Sequence, residues 1–529
     1  MNKKNGFALV LALLLALCMT ASAESFWSPR PLSEEPVELT FAVSRFALDA
    51  SKNYYDKAFM QGLEEATNIK INWVEISETS AEALNAILNS GDLPDAFVGL
   101  LTDDLVTQNS SMFLPLNDML ETLAPNTVAF YDEYCPYWRT YTAFPDGNIY
   151  GLMGSFLEEY EFYQPCIFYI NQAWLDRLGL AMPTTMEELY DVLVAFRDED
   201  ANGNGDASDE IPMSFCNNHW NSNFLQLAGS FGVPYVRVNA SEYYFFDIQD
   251  TQVVPTMDTQ NYRDFLTWAN QAMSEGLINN EGFSMTEEQY FAELDAGRVG
   301  MFWGWMPGTF IGNKELQDEY VAFRPVPAEG HSLRVSAVQA VPKRNAFVIS
   351  AASEHTGECL KIWDYLSQSQ ASKLLVADGP EGVCYKWDDS LQKYVLYSPT
   401  DEEMTAAGYG DYAGSQGTSK FYGSLGLINF HPVVQVVNYA DVTERDKGLQ
   451  MMGELVNPEY MSRAVVPGDV KEEFDFATDG LTSVMFESAA DFVINGVTDD
   501  RWNAYLSKLD TYGYDFYIDW YQSYLDGSF

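Results

Sequence analysis

The sequence predicts an α/β protein of at least two domains, and three observations carry that expectation. Apolar positions near the start are spaced as strand, helix, strand, helix and strand, the opening of a parallel sheet. About 500 residues follow a leader, more than a single hydrophobic core accommodates. No internal repeat, low-complexity tract or long linker separates the parts, which suggests a chain that weaves between its domains.

The leader carries Lys3 and Lys4, an apolar run from Phe7 to Leu17 and the small triplet Ala21-Ser22-Ala23. Charged, greasy and cleavable segments in that order are a secretory signal, so residues 1–23 are expected to be removed and the protein to act outside the cytoplasm, secreted or at the cell surface. The run is too short to span about 30 Å of hydrocarbon. Leu15-Ala16-Leu17-Cys18 has the outline of a lipoprotein box, but Leu17 stands where a small residue belongs and argues against a lipid anchor at Cys18.

Val37, Leu39, Phe41 and Val43 then alternate as a half-buried strand should. A helix is expected from about Tyr54 to Ala66, a second strand over Ile69, Ile71 and Trp73, and a second helix from about Ser80 to Asn89, closed by Gly91 at the position after the C-cap. Leu93 to Leu100 forms the third apolar strand. Ligands of such sheets sit beyond the carboxyl ends of the strands, which puts the loop after Asp95 to Gly99 near a binding crevice. Further on, Pro183-Thr184-Thr185-Met186-Glu187-Glu188 offers overlapping capping boxes, Thr184 with Glu187 and Thr185 with Glu188. Leu189, Val192, Leu193 and Phe196 recur behind them at helical spacing.

Directly after that helix, oxygen side chains alternate through Asp198, Asp200, Asn202, Asn204, Asp206, Asp209 and Glu210, with Gly203 and Gly205 among them. A hard cation wants six to eight oxygens at about 2.3 to 2.6 Å, and a glycine-permitted loop of this pattern wraps one. Counting from Asp198 gives the EF-hand order with Gly203 at the sixth position and Asp209 for the usual final glutamate; a second register runs from Asp200 to Glu210. Calcium is the expected ion. Pro212 disfavours a second EF-hand helix, which makes this a structural clip.

Lys plus Arg number 29 against 77 acids, a formal charge of −48, and removal of Lys3 and Lys4 with the leader deepens it by two. So negative a surface repels nucleic acid and anionic lipid and suits a neutral or cationic ligand better than a polyanion. Cys135, Cys166, Cys216, Cys359 and Cys384 remain after the leader, odd in number and widely spaced, which is no disulfide scaffold. No G-x-S-x-G, H-E-x-x-H, P-loop or C-x-x-C occurs. Glu158-Glu159 is the one eye-catching acidic pair near the residues expected at a cleft, and adjacent residues of an extended chain point to opposite sides. An enzyme is therefore not expected.

A resemblance is carried by Asp146-Gly147-Asn148-Ile149-Tyr150-Gly151, by Trp174-Leu175-Asp176-Arg177-Leu178-Gly179-Leu180, by the Pro-Thr-Thr helix start and by the acidic loop ending Asp209-Glu210-Ile211-Pro212. Gly297 to Trp305, Leu360 to Leu366 with Gly379-Pro380-Glu381-Gly382, and Asn495-Gly496 with Trp502 and Gly513-Tyr514 follow in order. Together they resemble the family 1 extracellular solute-binding proteins of polysaccharide- and oligosaccharide-type ABC importers, including alginate-binding periplasmic proteins, over nearly the whole mature chain. The resemblance implies a periplasmic-binding-protein-like fold of two α/β lobes, each a sheet flanked by helices, with ligand in the cleft between them. Lobe 1 is expected over residues 36–150 plus about 347–385, and lobe 2 over about 151–346 plus 386–529. It also implies calcium held by Asp200, Asn202, Asn204, Asp206 and Glu210, with Asp198 and Asp209 as alternates; this chain has one residue more than the usual pattern between Asn204 and Asp209.

On this reading the protein captures a carbohydrate, its expected partners being the sugar and ABC permease subunits, and it works as a monomer without nucleic acid. Sugars offer C–H faces to aromatic rings and hydroxyls to amides and carboxylates. Trp303 and Trp305 flank Gly304 in the segment the resemblance places in the cleft, and strand alternation would send both to one side. Tyr163 with Glu159, and Asn218 with Trp220, have the same mixed character and complete the expected ligand set.

Overall fold

The computed structural model describes residues 27–45, 53–60, 62–77, 80–134, 138–154, 163–237, 243–335, 337–339, 343–378, 381–389, 393–396, 406, 444–453, 455 and 465–527. The chain divides into one unit of Met1–Phe156 with Pro342–Asn438 and another of Leu157–Val341 with Tyr439–Phe529. In chain order, the strands of the two main sheets are β1 (Val37–Arg45), β2 (Ile69–Ser77), β3 (Ala96–Val98), β4 (Gly151–Gly154), β5 (Ile167–Asn171), β6 (Ile211–Met213), β7 (Val299–Gly304), β8 (Tyr320–Phe323) and β9 (Lys343–Ile349). No described helix is long and apolar enough to cross a membrane.

The first unit is built on a sheet of order β2-β1-β3-β9-β4. β1 pairs parallel with β2 from Val37↔Ile69 onward and parallel with β3, as the opening pattern predicts. β9 returns antiparallel to β3 and β4, with a register shift between Lys343 and Phe347. At that irregularity Arg344, 4% exposed, pairs with Asp103 and donates to the Tyr141 carbonyl at 2.6 Å, so its buried charge is compensated. The expected helix from Tyr54 to Ala66 is instead two 3₁₀ turns, Tyr54–Asp56 and Ala58–Met60, and a short helix Leu63–Thr67. Gly62 at φ 73° interrupts it, a backbone region helices do not use. The second helix forms as read: Ser80 caps Ala81–Ser90, and Gly91 ends it at φ 77°.

The second unit is built on a sheet of order β8-β5-β7-β6. β7 is antiparallel to β5 and parallel to β6, and all six of its residues are buried. The helix Met186–Asp198 buries Leu189, Val192, Leu193 and Phe196 against this sheet's core. Its cap uses one residue pair: Thr185 Oγ1 accepts from Glu188 N at 3.1 Å, and the Glu188 carboxylate accepts from Thr184 N and Oγ1 at 2.8 and 2.7 Å. Three C-terminal helices, Lys471–Asn495, Asp499–Thr511 and Tyr514–Leu525, add Phe492, Trp502, Tyr505 and Tyr517 to the same core.

Candidate functional site

The second unit places two tryptophans together at the ends of neighbouring strands. β7 ends at Gly304, and Trp305 follows it, partly exposed, with its carbonyl accepting from Tyr169 Oη at 3.0 Å. The loop leaving β6 carries Trp220, 38% exposed, whose ring centroid lies 5.9 Å from that of Trp305 at 47°. The Arg445 guanidinium stands 3.8 Å over the Trp305 ring, a cation–π contact, and Met306 beside it is 41% exposed. Exposed aromatic area of this kind is costly in water and available for stacking.

The same loop lines a cavity of about 280 Å³ with Asn217, Asn218, Trp220 and Asn223, and Tyr235, Tyr243 and Glu287 share the lining. Burial raises the Glu287 carboxyl above its ordinary range, and Glu288 adds in the same direction. Asn218 Nδ2 donates to the Met285 carbonyl at 2.8 Å and Asn217 Oδ1 accepts from Phe224 N at 2.9 Å, so the amides are held by the loop that presents them.

The acidic loop is folded around its own side chains. Asn202 Oδ1 accepts from Asn204 N at 2.9 Å, Asn204 Oδ1 from Asp206 N at 2.7 Å, and Asp206 Oδ1 from Ser208 N at 3.1 Å, a succession of Asx turns. Asp200 Oδ2 accepts from Gly205 N at 3.0 Å and Glu210 Oε1 from Asn202 N at 3.3 Å. The second oxygen of each, Asp200 Oδ1 and Glu210 Oε2, is buried without a hydrogen-bond partner. Two such carboxylate oxygens are costly unless a cation completes them. Asp198 instead pairs with Arg197 through both oxygens at 2.7 and 2.9 Å, which holds its carboxyl below the usual range. Asp209 takes the side-chain amides of Asn202 and Asn204 at 3.0 and 3.1 Å. Among the described residues no group of three or more His, Cys, Asp or Glu is arranged to hold a metal ion. The oxygens gathered in this loop come from asparagines as well as carboxylates.

The structure thus separates Trp303, within β7, from Trp305, just past its end. Trp303 is 0% exposed, its Nε1 donates to the Asn223 carbonyl at 3.0 Å, and its ring lies parallel to Phe215 at 6.0 Å. The strand ends between the two residues, so alternation does not carry through to Trp305. Glu159 lies outside the described residues, as do the leader and Cys18, and Tyr163 is described only as backbone of a short strand, Tyr163–Pro165. Arg445, Tyr235, Tyr243 and Glu287 join the site from distant segments without any local sequence signal.

The profile of a family described as bacterial extracellular solute-binding protein matches residues 49–373. A fructooligosaccharide ABC transporter substrate-binding protein, FusA of Streptococcus pneumoniae serotype 4, is 25% identical over 521 residues, 94% of this chain and 91% of its own. A structure of FusA described as an EF-hand mutant in complex with fructo-nystose superimposes with a TM-score of 0.72 at 22% identity, covering 93% of this chain and 99% of that one. A solute-binding protein from Bifidobacterium longum infantis, described as HMO-binding and ABC-transporter-associated, gives 0.78 at 24% identity over 93% of this chain and 99% of its own. The alginate-binding protein AlgQ2, solved without calcium ion, gives 0.65 at 20% identity over 94% and 100%. These likenesses establish the α/β solute-binding-protein fold for the chain.

Proposed function

We propose that this chain, which belongs to the bacterial extracellular solute-binding protein family, captures a carbohydrate and hands it to the permease subunits of an ABC importer. The family is one of binding proteins and not of enzymes. The observation that carries the carbohydrate reading is the Trp220 and Trp305 pair beside an amide-lined cavity. Rings for C–H faces and amides for hydroxyls are what an oligosaccharide demands together. FusA, named for fructooligosaccharides, supports the reading through its match over nearly the whole chain. The charge of −48 favours a neutral sugar over a polyuronate.

Trp220, Trp305 and Asn218 contact the ligand in this reading, Trp303 backs them from the core, and Glu159 and Tyr163 are proposed to contribute further contacts. The lobes assigned from the sequence close on the ligand by hinge motion, which requires only that ligand favour the closed form. Residues 1–23 direct secretion and are removed.

Calcium occupies the acidic loop, held by Asp200, Asn202, Asn204, Asp206 and Glu210, with Asp198 excluded by its pairing to Arg197. When bound it supplies the positive charge that the two orphan carboxylate oxygens lack, and its role is to stabilise.

A thermal-shift screen of the secreted protein against fructans, milk-type oligosaccharides, uronate oligomers and peptides tests the function. A neutral oligosaccharide at 100 times its dissociation constant should stabilise by about 2.7 kcal/mol. A shift with peptides and none with any oligosaccharide would overturn the carbohydrate reading.

A further inference from the structure

We propose that Arg298 is a positioning residue of the ligand site, one that sets where Trp220 stands against Trp305 by clamping the entry to β6. The ligand in this inference is the one proposed above; the mechanism rests on local geometry alone. β6 is three residues long, lies at the edge of its sheet and pairs with β7 only. Its central residue, Pro212, has no N–H to give the ladder. Two backbone hydrogen bonds tie its ends to β7: Ile211 N donates to Arg298 O at 2.7 Å and Ser214 N to Met301 O at 3.0 Å. Trp220 lies on the loop that leaves β6, and Trp305 lies just past the end of β7. The register of β6 along β7 therefore bears on the spacing of the two rings, together with the bonds from Asn217 N to Gly282 O and from Asn218 Nδ2 to Met285 O that hold the loop.

Arg298 grips the incoming end of β6 with both its backbone and its side chain. Its carbonyl takes Ile211 N, while Nε donates to the Asp209 carbonyl at 2.9 Å and stands 3.7 Å from the Asp209 carboxylate. Asp209 in turn accepts from the side-chain amides of Asn202 and Asn204, so the acidic loop hangs on the same guanidinium. The outgoing end is held separately: the Glu293 carboxylate accepts from Ser214 Oγ at 3.1 Å and Asn279 Nδ2 at 3.0 Å, and Asn279 N donates to Met213 O at 2.9 Å. Between the two ends Gly300 lets the strands close up, since a Cβ there would overlap Phe196 and meet Pro212 O at 2.9 Å. Arg298 is not among the residues lining the cavity, so its effect on ligand passes through β6. Binding constellations need their supporting residues to hold them within about 0.5 Å, and Arg298 is placed to do that for the tryptophan pair.

The test uses the full secreted chain and the variants R298Q and R298K. The near-ultraviolet circular dichroism of the ring pair, taken as the difference between each protein and its Trp220→Phe counterpart, reads the pair without ligand. Affinity is measured for whichever oligosaccharide most stabilises the parent. R298Q should keep a cooperative melt, change the pair signal and bind about tenfold more weakly, which corresponds to about 1.4 kcal/mol. R298K keeps the charge but loses the Nε donor and should fall between parent and R298Q. A pair signal or an affinity in R298Q equal to the parent's overturns the proposal. If R298Q does not fold, parent-like values in R298K do the same. Should the parent bind no carbohydrate, the proposed function fails while the pair signal still decides the role of Arg298.

Discussion

Truncating Trp303 to alanine should destabilise the second unit strongly and leave its mark on folding before binding. The side chain is wholly buried, and it lies parallel to Phe215 and 5.5 Å from Phe168. Core Trp→Ala changes cost about 3 to 5 kcal/mol, because the transfer energy is lost and the cavity relaxes only in part. The Asn223 carbonyl also loses the indole donor, and Asn223 caps the turn that starts at Phe224. An orphaned buried acceptor adds about 1 kcal/mol, so a total of about 4 to 6 kcal/mol is expected. At about 2 °C per kcal/mol for a unit of this size, the transition should fall by roughly 8 to 12 °C in scanning calorimetry. Trp305→Ala forfeits chiefly the Arg445 cation–π contact, worth about 0.5 to 1 kcal/mol at such a site, and should melt within about 2 °C of the parent. It should, however, weaken oligosaccharide binding tenfold or more. A Trp303→Ala protein that melts within about 2 °C of the parent would refute the core assignment and the arithmetic with it.

Two further outcomes follow from buried charge. Asp200→Ala should lower the melting temperature in calcium buffer and abolish the fall that chelator causes in the parent, whereas Asp198→Ala should leave the chelator effect intact because Asp198 already pairs with Arg197; equal behaviour of the two variants would reject the Asp200 register. Lys373, 6% exposed with its ammonium 3.2 Å over the Phe130 ring, has its pKa pushed down to about 7 by burial, against the opposing pull of Glu133 and Asp364. Above pH 7 the folded state then binds fewer protons than the unfolded chain, so its contribution to stability is least below pH 7 and rises as pH climbs from about 7 toward about 10.4. Lys373→Met should accordingly raise the melting temperature at pH 6 and much less at pH 10; no gain at pH 6 would show that the ammonium is adequately solvated.

Legibility followed the range of the interactions involved. Ser80 and Gly91 bound their helix as read, because capping is settled within one turn by the residue that stands there. The parallel pairing of β1 with β2 and β3 was readable from alternation joined by short helical segments, since parallel neighbours need crossovers, whereas the central place of β1 was not. The Tyr54 to Ala66 helix was misread because a mean apolar spacing outweighed Gly62, whose φ of 73° only the folded chain reveals. Trp303 and Trp305 looked equivalent in sequence, yet one sits in the strand and the other just beyond it, and a strand's end depends on the partner it runs out of.

By itself the sequence determined the α/β class, the family, the acidic loop and the caps at Ser80, Gly91 and Thr185, all of which are carried by local pattern or by motifs in fixed order. Tertiary structure alone decided that Trp220 and not Trp303 meets Trp305, that Arg445 covers that ring, and that Arg197 withdraws Asp198 from the loop while Arg298 binds Asp209. These are pairings between side chains on different elements or in competing local geometries. Their energies depend on distances of a few ångströms that no spacing along the chain encodes, and they arise only when strand ends and loops are brought side by side.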